Sequence, residues 1–248
     1  MVKALKAAGH YVLAFEWGET FPKESLDLVI HLGAISSTSE RDVGKVMTQN
    51  FDFTVELLET CNSRRIDVQY ASSASIYGLG SDFRETATPD PRTPYAWSKL
   101  AVDRYVMSRK QANHWNINVQ GFRYFNVYGP HEEHKDQPSP FTTFERQAKE
   151  SGVIKVFQGS DKIYRDFVHV DDVIKIQKRF FMINKTGIWN IGSGIARSFM
   201  SIAEEIADQY EAKITVIPMP DSIIKDSYQT YTRADLTWLN MTLSGINT

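Results

Sequence analysis

The stretch Leu26-Asp27-Leu28-Val29-Ile30-His31-Leu32-Gly33-Ala34 is short and almost continuously apolar. Such a run is typical of a strand buried on both faces, as in a parallel sheet covered by helices. Other apolar runs alternate with helical patterns around it, which predicts an α/β fold with a doubly wound parallel sheet. The predicted strands of this half are residues 11–15, 26–34, 68–73 and 119–125, and the predicted helices are 1–9, 43–63 and 94–111.

The composition excludes several classes of partner. The chain has 248 residues, 42% of them hydrophobic, and a net charge of −2, so neither nucleic acid nor an anionic membrane is indicated as a partner. No apolar run approaches the roughly 20 residues that span a bilayer, and the first residues do not form a signal peptide. Cys61 is the only cysteine, which excludes an intrachain disulfide and predicts a cytoplasmic location.

A proton-transfer site is predicted where Thr93-Pro94 begins a helix. Tyr95 and Lys99 follow one turn apart and therefore share a helix face. An ammonium close to a phenol lowers the phenol pKa and makes it a better base near neutrality. The Ser72-Ser73 pair can supply a hydroxyl that holds the oxygen whose proton moves. The spacing alone is a weak signal, because exposed helices often carry a tyrosine four residues before a lysine.

Three polar segments are expected at one edge of the predicted sheet. In open parallel sheets, ligands bind at the carboxyl ends of the strands. Residues 33–37, the Ser72-Ser73 pair and the segment after Phe125 all follow predicted strands, and Tyr95 can reach the same crevice from the start of its helix. This convergence favours a functional interpretation of the tyrosine and lysine.

Five motifs in series resemble those of the extended short-chain dehydrogenase/reductases, which act on nucleotide sugars. Within that family the chain is most similar to the ADP-glyceromanno-heptose 6-epimerases, through residues 36–40, 129–135, 157–160 and 227–236. The five motifs are Asp27-Leu-Val-Ile-His-Leu-Gly-Ala34, Tyr70-Ala-Ser-Ser-Ala-Ser-Ile-Tyr-Gly78, Tyr95-x-x-x-Lys99, Phe122-Arg-Tyr-Phe-Asn-Val-Tyr-Gly-Pro130 and Arg165-Asp-Phe-Val-His-Val-Asp-Asp172.

The resemblance implies an isomerase that uses a nicotinamide cofactor, NADP or NAD, on a small-molecule nucleotide sugar. Hydride would leave carbon 6 of ADP-glyceromanno-heptose and return to the other face of the resulting ketone. By motif, Tyr95 would be an acid/base, Lys99 would hold the nicotinamide ribose, and Ser73 would polarise the reacting oxygen. Lys135 matches the family's second acid/base, which serves the opposite face of the ketone.

The resemblance also assigns cofactor and substrate contacts. Arg165 suits a diphosphate, because a planar guanidinium binds phosphate oxygens bidentately, although a local ion pair with Asp166 is an alternative. The acid at residue 16 stands where the family binds the adenosine ribose, which favours NAD. The implied cofactor contacts are Glu16, Leu32, Gly33, Ala34, Ile35, Ser36, Asn50, Lys99 and Val127. The implied substrate contacts are Ser73, Asn126, Phe157, Gln158, Gly159, Ser160, Arg165 and Tyr228.

Two regions follow from the resemblance. Residues 1–130 would form a cofactor-binding Rossmann-like domain and residues 131–248 mainly a smaller substrate-binding lobe, with 165–192 returning to the sheet. The family opens with a strand and a Gly-x-x-Gly-x-x-Gly loop that hold the cofactor pyrophosphate, and residues 1–5 match the helix after that loop. We therefore expect an incomplete Rossmann-like domain, shortened at both ends, that binds cofactor poorly.

Two alternative functions stay open at this point. One is another nucleotide-sugar epimerase, of the UDP-hexose 4-epimerase type, and the other is a catalytically inactive sugar-nucleotide-binding fragment. A homo-oligomer is compatible with either. No metal site is predicted, because His131 and His134 are three residues apart in a predicted loop and lack the His-Glu-x-x-His pattern.

Overall fold

The computed structural model describes residues 1–133, 135, 137–220 and 228–245. A π-helical turn at Met47–Asp52 joins α2 to α3, and a 3₁₀ turn at Ala74–Tyr77 follows β2. Helices α1 to α8 are Val2–Ala7, Val43–Val46, Phe53–Arg64, Pro94–Gln111, Pro140–Ser151, Val170–Arg179, Phe199–Tyr210 and Thr237–Ser244. Strands β1 to β9 are Leu28–His31, Asp67–Ser73, Val119–Tyr124, Asn126–Tyr128, Val153–Phe157, Tyr164–His169, Gly187–Ile191, Ala196–Ser198 and Lys213–Ile217.

The main sheet has the strand order β1-β2-β3-β7, and all of its strand pairs are parallel. Its register places Ser72 opposite Arg123 and Phe122 opposite Trp189. The carboxyl ends of these strands therefore lie at one edge, where the loops after β1 and β2 begin. The predicted α/β fold with a parallel sheet is confirmed.

Helices pack on both faces of this sheet. On one face, apolar side chains of α3 and α4, such as Leu58 and Val106, pack against Val68 and Val119 of the strands. On the other face, α6 and α8 pack against β3 and β7, with Trp189 fully buried among them. No helix in the described parts of the chain has the length and apolar character needed to cross a bilayer.

The segment at residues 11–15 is not a strand, although its apolar run predicted one. Among the described residues no strand lies beside the outer edge of β1, so this segment has no ladder to join. Its side chains pack locally instead. Phe15 and Phe21 meet edge to face with ring centroids 5.5 Å apart, and both pack on the cluster that includes α3. Arg64 Nη1 fastens the connector by donating to Pro22 O at 2.6 Å.

The other predicted elements are observed, with some ends shifted. The strand predicted at 119–125 stops at Tyr124, because Phe125 N turns to donate to Ile191 O at 2.9 Å and the chain continues as β4 in another sheet. In the second half, β5 ends at Phe157, before a turn through Gly159 at φ +87°.

The second half of the chain adds two small sheets beside the main one. Their strand orders are β4-β6-β8 and β5-β9. Helices α5 and α7 cover them around a core that contains Phe144, Ile154, Phe167 and Ile202. From this half, β7 joins the main sheet by pairing with β3.

A buried ion pair ties α4 to the main sheet. Arg123 Nε donates to Asp103 Oδ2 at 2.9 Å, and both side chains are less than a tenth exposed. Asp103 Oδ1 accepts from Tyr70 OH at 2.9 Å, and Arg123 Nη1 donates to Tyr77 OH at 3.0 Å. Gly121 leaves room for this arrangement, since a Cβ there would lie 2.4 Å from the Tyr70 ring. Each charge is buried with partners, which limits its desolvation cost.

Arg123→Leu should lower the free energy of unfolding by about 3–5 kcal/mol, because it leaves Asp103 as a buried and uncompensated charge. Urea unfolding followed by tryptophan fluorescence at pH 7 measures the loss. Arg92→Leu is the control, since Arg92 pairs with Asp90 at the surface and should change the midpoint little. Equal losses in the two variants would contradict the assignment of a buried, stabilising pair.

Candidate active site

The start of α4 places Tyr95 and Lys99 side by side. Thr93 Oγ1 accepts from Ala96 N at 3.1 Å and Pro94 is the first helical residue, so the helix begins where the sequence predicted. Lys99 Nζ lies 5.8 Å from the centroid of the Tyr95 ring. The two side chains thus share one face of the first turns.

Ser73 meets these two residues at the carboxyl end of β2. Its hydroxyl accepts from Ser75 N at 3.1 Å and interacts with the Tyr95 phenol. Lys99 Nζ donates to the carbonyl of Ala71, two residues earlier in the same strand, at 2.8 Å. The structure therefore brings together a hydroxyl, a phenol and an ammonium from two elements that are distant in sequence.

Burial raises the pKa of the Tyr95 phenol above its ordinary value, and the Ser73 hydroxyl opposes that rise only in part. This is opposite to the expectation that Lys99 lowers the phenol pKa. The reason is geometric, because the ammonium is directed to the Ala71 carbonyl while the phenol is desolvated by its surroundings. Tyr95 is therefore a protonated phenol at neutral pH.

Lys99 is a buried cation, only 4% exposed. Burial lowers its pKa to about 8, and Asp103, one turn further along α4, opposes that shift. His31, at the end of β1, has a pKa of about 4 because it is buried and close to Lys99. His31 is therefore neutral at pH 7, and its Nε2 lies 2.9 Å from Thr54 Oγ1, which suits a packing role.

The loop after β1 presents four of its five predicted cofactor contacts to solvent. Leu32 is 44% exposed, and Ile35 is the one member that is partly buried. Both backbone groups of Ile35 are bonded by the Asn50 amide, with Ile35 N donating to Oδ1 at 2.8 Å and Nδ2 donating to Ile35 O at 2.9 Å. The exposed members are Leu32, Gly33, Ala34 and Ser36.

Two other predicted cofactor contacts lie in different surroundings. Glu16 is exposed in a turn, where its backbone N donates to Glu19 Oε2 at 2.7 Å. Val127 is half-buried in β4, where it pairs with Val168. No hydrogen bond of the described residues joins Glu16 to the loop after β1.

Lys135 is held by its own loop. Its Nζ donates to Glu132 Oε1 at 2.9 Å, and its side chain is 48% exposed. Glu132 is buried and also accepts from the hydroxyl groups of Ser139 and Thr142, at 2.5 and 2.8 Å. Glu132, which was not among the predicted site residues, anchors the loop that carries Lys135; the spacing of three residues between them was the available signal. Among the described residues, no hydrogen bond joins Lys135 to Tyr95 or Ser73.

Arg165 is a buried guanidinium that makes no ion pair among the described residues. Its Nη1 donates to Tyr164 O at 3.0 Å and its Nη2 to Gln229 O, and its Cζ lies 5.2 Å from the Tyr228 ring centroid. Burial lowers its pKa from the ordinary arginine value. Such a cation is available to an anionic ligand.

The alternative of an Arg165–Asp166 ion pair is wrong. Adjacent residues of a strand point to opposite faces, and Asp166 instead accepts from the backbone N of Ser193, Gly194 and Ala234 at 2.7, 2.8 and 2.9 Å. Asp166 is a structural clamp between β6 and two loops, a role that its place in the sequence did not indicate.

The remaining predicted substrate contacts lie at two places in the fold, the end of β5 and the start of β4. Phe157 and Asn126 are exposed, and Ser160 is buried with its N donating to Phe157 O at 3.1 Å. Gln158 N donates to Ile217 O at 2.8 Å, and Gly159 provides the turn. The described residues contain no cluster of three potential metal ligands. His134 and residues 221–227 lie outside the described residues.

Comparison with known proteins gives consistent matches. The NAD dependent epimerase/dehydratase family matches residues 13–192. The chain is 41% identical over 217 residues to the ADP-L-glycero-D-manno-heptose-6-epimerase of Brachyspira hyodysenteriae, covering 85% of this chain and 68% of the relative. It is 40% identical over 225 residues to that of Alkalilimnicola ehrlichii, covering 86% and 69%. The crystal structure of the Helicobacter pylori ADP-L-glycero-D-manno-heptose-6-epimerase is similar with a TM-score of 0.77 and 29% identity, covering 90% of this chain and 67% of that one.

Lys99→Met should stabilise the cofactor-free protein at pH 7 by on the order of 2–3 kcal/mol, because the pKa of Lys99 is about 8 when folded and near its ordinary value when unfolded. Between pH 8 and about 10.5 the unfolded chain binds more protons, so wild-type stability rises relative to the variant and the difference shrinks.

Urea unfolding of both proteins from pH 7 to 10.5 measures this difference. Lys110→Met is the matched control, since Lys110 is an exposed lysine of the same helix that also donates to a backbone carbonyl. A stability difference between wild type and Lys99→Met that does not change with pH would contradict a buried, charged Lys99.

Proposed function

The chain belongs to the NAD dependent epimerase/dehydratase family, and we propose that it inverts carbon 6 of an ADP-glyceromanno-heptose through a transient ketone. The observation that carries this proposal is the meeting of Tyr95, Lys99 and Ser73 at the carboxyl end of β2. The curated relatives named above are heptose 6-epimerases, which favours this substrate over other nucleotide sugars.

The residues at this edge of the sheet fit the nicotinamide half of the cofactor. Within the described residues, Lys99 Nζ donates one hydrogen bond, to Ala71 O, so two of its three N–H donors remain for ribose hydroxyls. The exposed loop at 32–36 and Val127 would line the nicotinamide, and Glu16 would accept from the adenosine ribose, which favours NAD over NADP. A nicotinamide bound there would supply the acceptor and the donor of the hydride of carbon 6.

Tyr95 and Ser73 would handle the oxygen on carbon 6. The alcohol is oxidised only when the Tyr95 phenol has first lost its own proton; as a phenolate, its Oη would then take the hydroxyl proton while Ser73 Oγ donates a hydrogen bond to the same oxygen. Because its raised pKa keeps the phenol protonated, Tyr95 would carry the proton that the ketone oxygen receives when the ketone is reduced. The buried ammonium of Lys99 would stabilise the phenolate that the oxidation step requires.

Lys135 would serve the opposite face of the ketone. Inversion requires hydride to return to the other face of the ketone, so the ketone must turn over, and its oxygen would then lie away from Tyr95 and need a second proton carrier. Lys135 is partly exposed on a loop anchored by the buried Glu132, so its ammonium would be accessible to a bound substrate. In the structure this ammonium donates to Glu132 Oε1, and it would have to leave that carboxylate to reach the ketone oxygen.

Arg165 would bind the diphosphate of the sugar nucleotide. It is buried, and the hydrogen bonds described above go to backbone carbonyls, which leaves its charge for phosphate oxygens. The ring of Tyr228 covers it at 5.2 Å, and the exposed Phe157 lies at the end of β5 in the same lobe. Residues 157–160 and Asn126 would complete the substrate contacts.

We place the reaction in the cytoplasm, with the product supplied to lipopolysaccharide biosynthesis. Cys61 is a free, buried thiol whose pKa burial raises to about 12, which suits a reducing compartment and a packing role.

Incubation of the purified chain with NAD or NADP and ADP-glyceromanno-heptose should give a mixture of the two carbon-6 epimers without net change in the cofactor. NMR of the sugar measures the ratio of the two epimers, and absorbance at the reduced-cofactor band measures any net change in the cofactor. UDP-glucose is the matched comparison and should be left unchanged. Epimerisation of UDP-glucose at carbon 4 would favour the UDP-hexose type, and tight binding of ADP-heptose without turnover would favour an inactive binding fragment.

Tyr95→Phe and Lys135→Ala should each lower kcat by about 10²–10⁴, because each removes one proton carrier. Their free energies of unfolding should stay near that of wild type, since the Lys135 side chain is half exposed and the phenylalanine keeps the ring. Tyr105→Phe, on the same helix, and Lys149→Ala, on the exposed face of α5, are controls that should retain full turnover. Full turnover by Tyr95→Phe would exclude its acid/base role.

A further inference from the structure

The helix after the exposed loop contains an irregular turn at Met47–Asp52 with π-helical hydrogen bonding. Such turns are rare inside helices and occur frequently at functional sites. Asn50 is the one buried residue of this turn, at 1% exposure. Thr54 Oγ1 donates to the Asn50 carbonyl at 2.6 Å, so the widened turn is supported by a side chain.

The amide of Asn50 is committed to other groups of the chain. Oδ1 accepts from Ile35 N at 2.8 Å, and Nδ2 donates both to Ile35 O at 2.9 Å and to Ser98 Oγ at 3.0 Å. This pattern fixes the orientation of the amide, because a flipped amide would set N–H groups against N–H and oxygen against oxygen. The amide thus has no donor left for a cofactor.

Ser98 continues the connection to the reacting residue. It is fully buried, and its hydroxyl donates to the carbonyl of Tyr95 at 2.8 Å while it accepts from Asn50. An unbroken chain of hydrogen bonds therefore runs from Ile35, in the loop after β1, through Asn50 and Ser98 to the backbone of Tyr95. We call these four residues the Asn50 brace.

We propose that Asn50 and Ser98 are positioning residues, which fix the loop at 32–36 relative to the Tyr95 turn and thereby align the nicotinamide with the carbon whose proton Tyr95 handles. This inference rests on the proposed function, because it gives the brace its catalytic meaning. Neither side chain needs to touch the cofactor or the sugar. Misplacement of reacting groups by about 1 Å can cost roughly 10²-fold in rate, so a brace of this kind acts on kcat more than on substrate binding.

The brace is tested first without any ligand. Ser98→Ala removes one hydroxyl from a buried site and frees one end of the amide. Hydrogen exchange at the Ile35 amide should become at least about 10-fold faster, while exchange in α3 stays unchanged. Ser108→Ala, an exposed serine of the same helix, is the matched control and should leave both rates unchanged. Unchanged exchange at Ile35 in Ser98→Ala would overturn the brace.

Kinetics then test its catalytic consequence. With ADP-glyceromanno-heptose, Ser98→Ala should lower kcat by about 10- to 100-fold with KM changed less than about 3-fold, and carbon-6 deuteration should slow the variant more than the wild type. Asn50→Asp keeps the shape of the side chain but loses both donors, so it should likewise lower kcat and change KM little. Ser98→Cys should have a higher kcat than Ser98→Ala.

A kcat for Ser98→Ala within twofold of wild type, together with faster exchange at Ile35, would overturn the positioning role. The exchange measurement needs no substrate, so it shows whether the Asn50 brace holds Ile35 even if the wild-type chain turns over no sugar nucleotide. Failure of the proposed function is therefore distinguishable from failure of this inference.

Discussion

Two opposite charges buried one turn apart on α4, Lys99 and Asp103, set the conditions for the rest of the structure. Asp103 is held by Arg123 and Tyr70, and this fixes the helix against β2 and β3. Because that carboxylate is already partnered, it does not bond to Lys99, which stays a buried ammonium with a backbone acceptor. The fold therefore tolerates a cation that lowers its stability. In return, the positive charge of Lys99 can attract the oxygen atoms of a bound ligand.

Arg165 and Asp166 have different roles because neighbouring side chains of a strand point to opposite faces. In β6, Asp166 points to one face and clamps the loops at Ser193, Gly194 and Ala234, while Arg165 points to the other and lies against Tyr228. The clamp positions the lobe, and the guanidinium remains available to an anion. One residue supplies rigidity and its neighbour supplies charge, and both come from the same motif.

Local signals in the sequence were sufficient for much of the architecture. Thr93-Pro94 carries its own start signal for α4, and the apolar runs of β1, β2, β3 and β7 predict a parallel sheet from their composition. The segment at 11–15 has the same composition but is not a strand, because a strand exists only beside a partner and no strand is described at the outer edge of β1. Composition reports the tendency of a segment, and pairing depends on its neighbours.

The sequence by itself determined the fold class, the family and the identities of the residues that we place at the site, because motif spacing and strand order are properties of the linear chain. Only the tertiary structure decided how those residues behave. Burial raised the pKa of the Tyr95 phenol where spacing to Lys99 predicted the reverse, and the Asn50 amide turned out to serve Ile35 and Ser98. Desolvation and hydrogen-bond partners arise from contacts between residues far apart in the chain, so spacing along the sequence does not encode them directly.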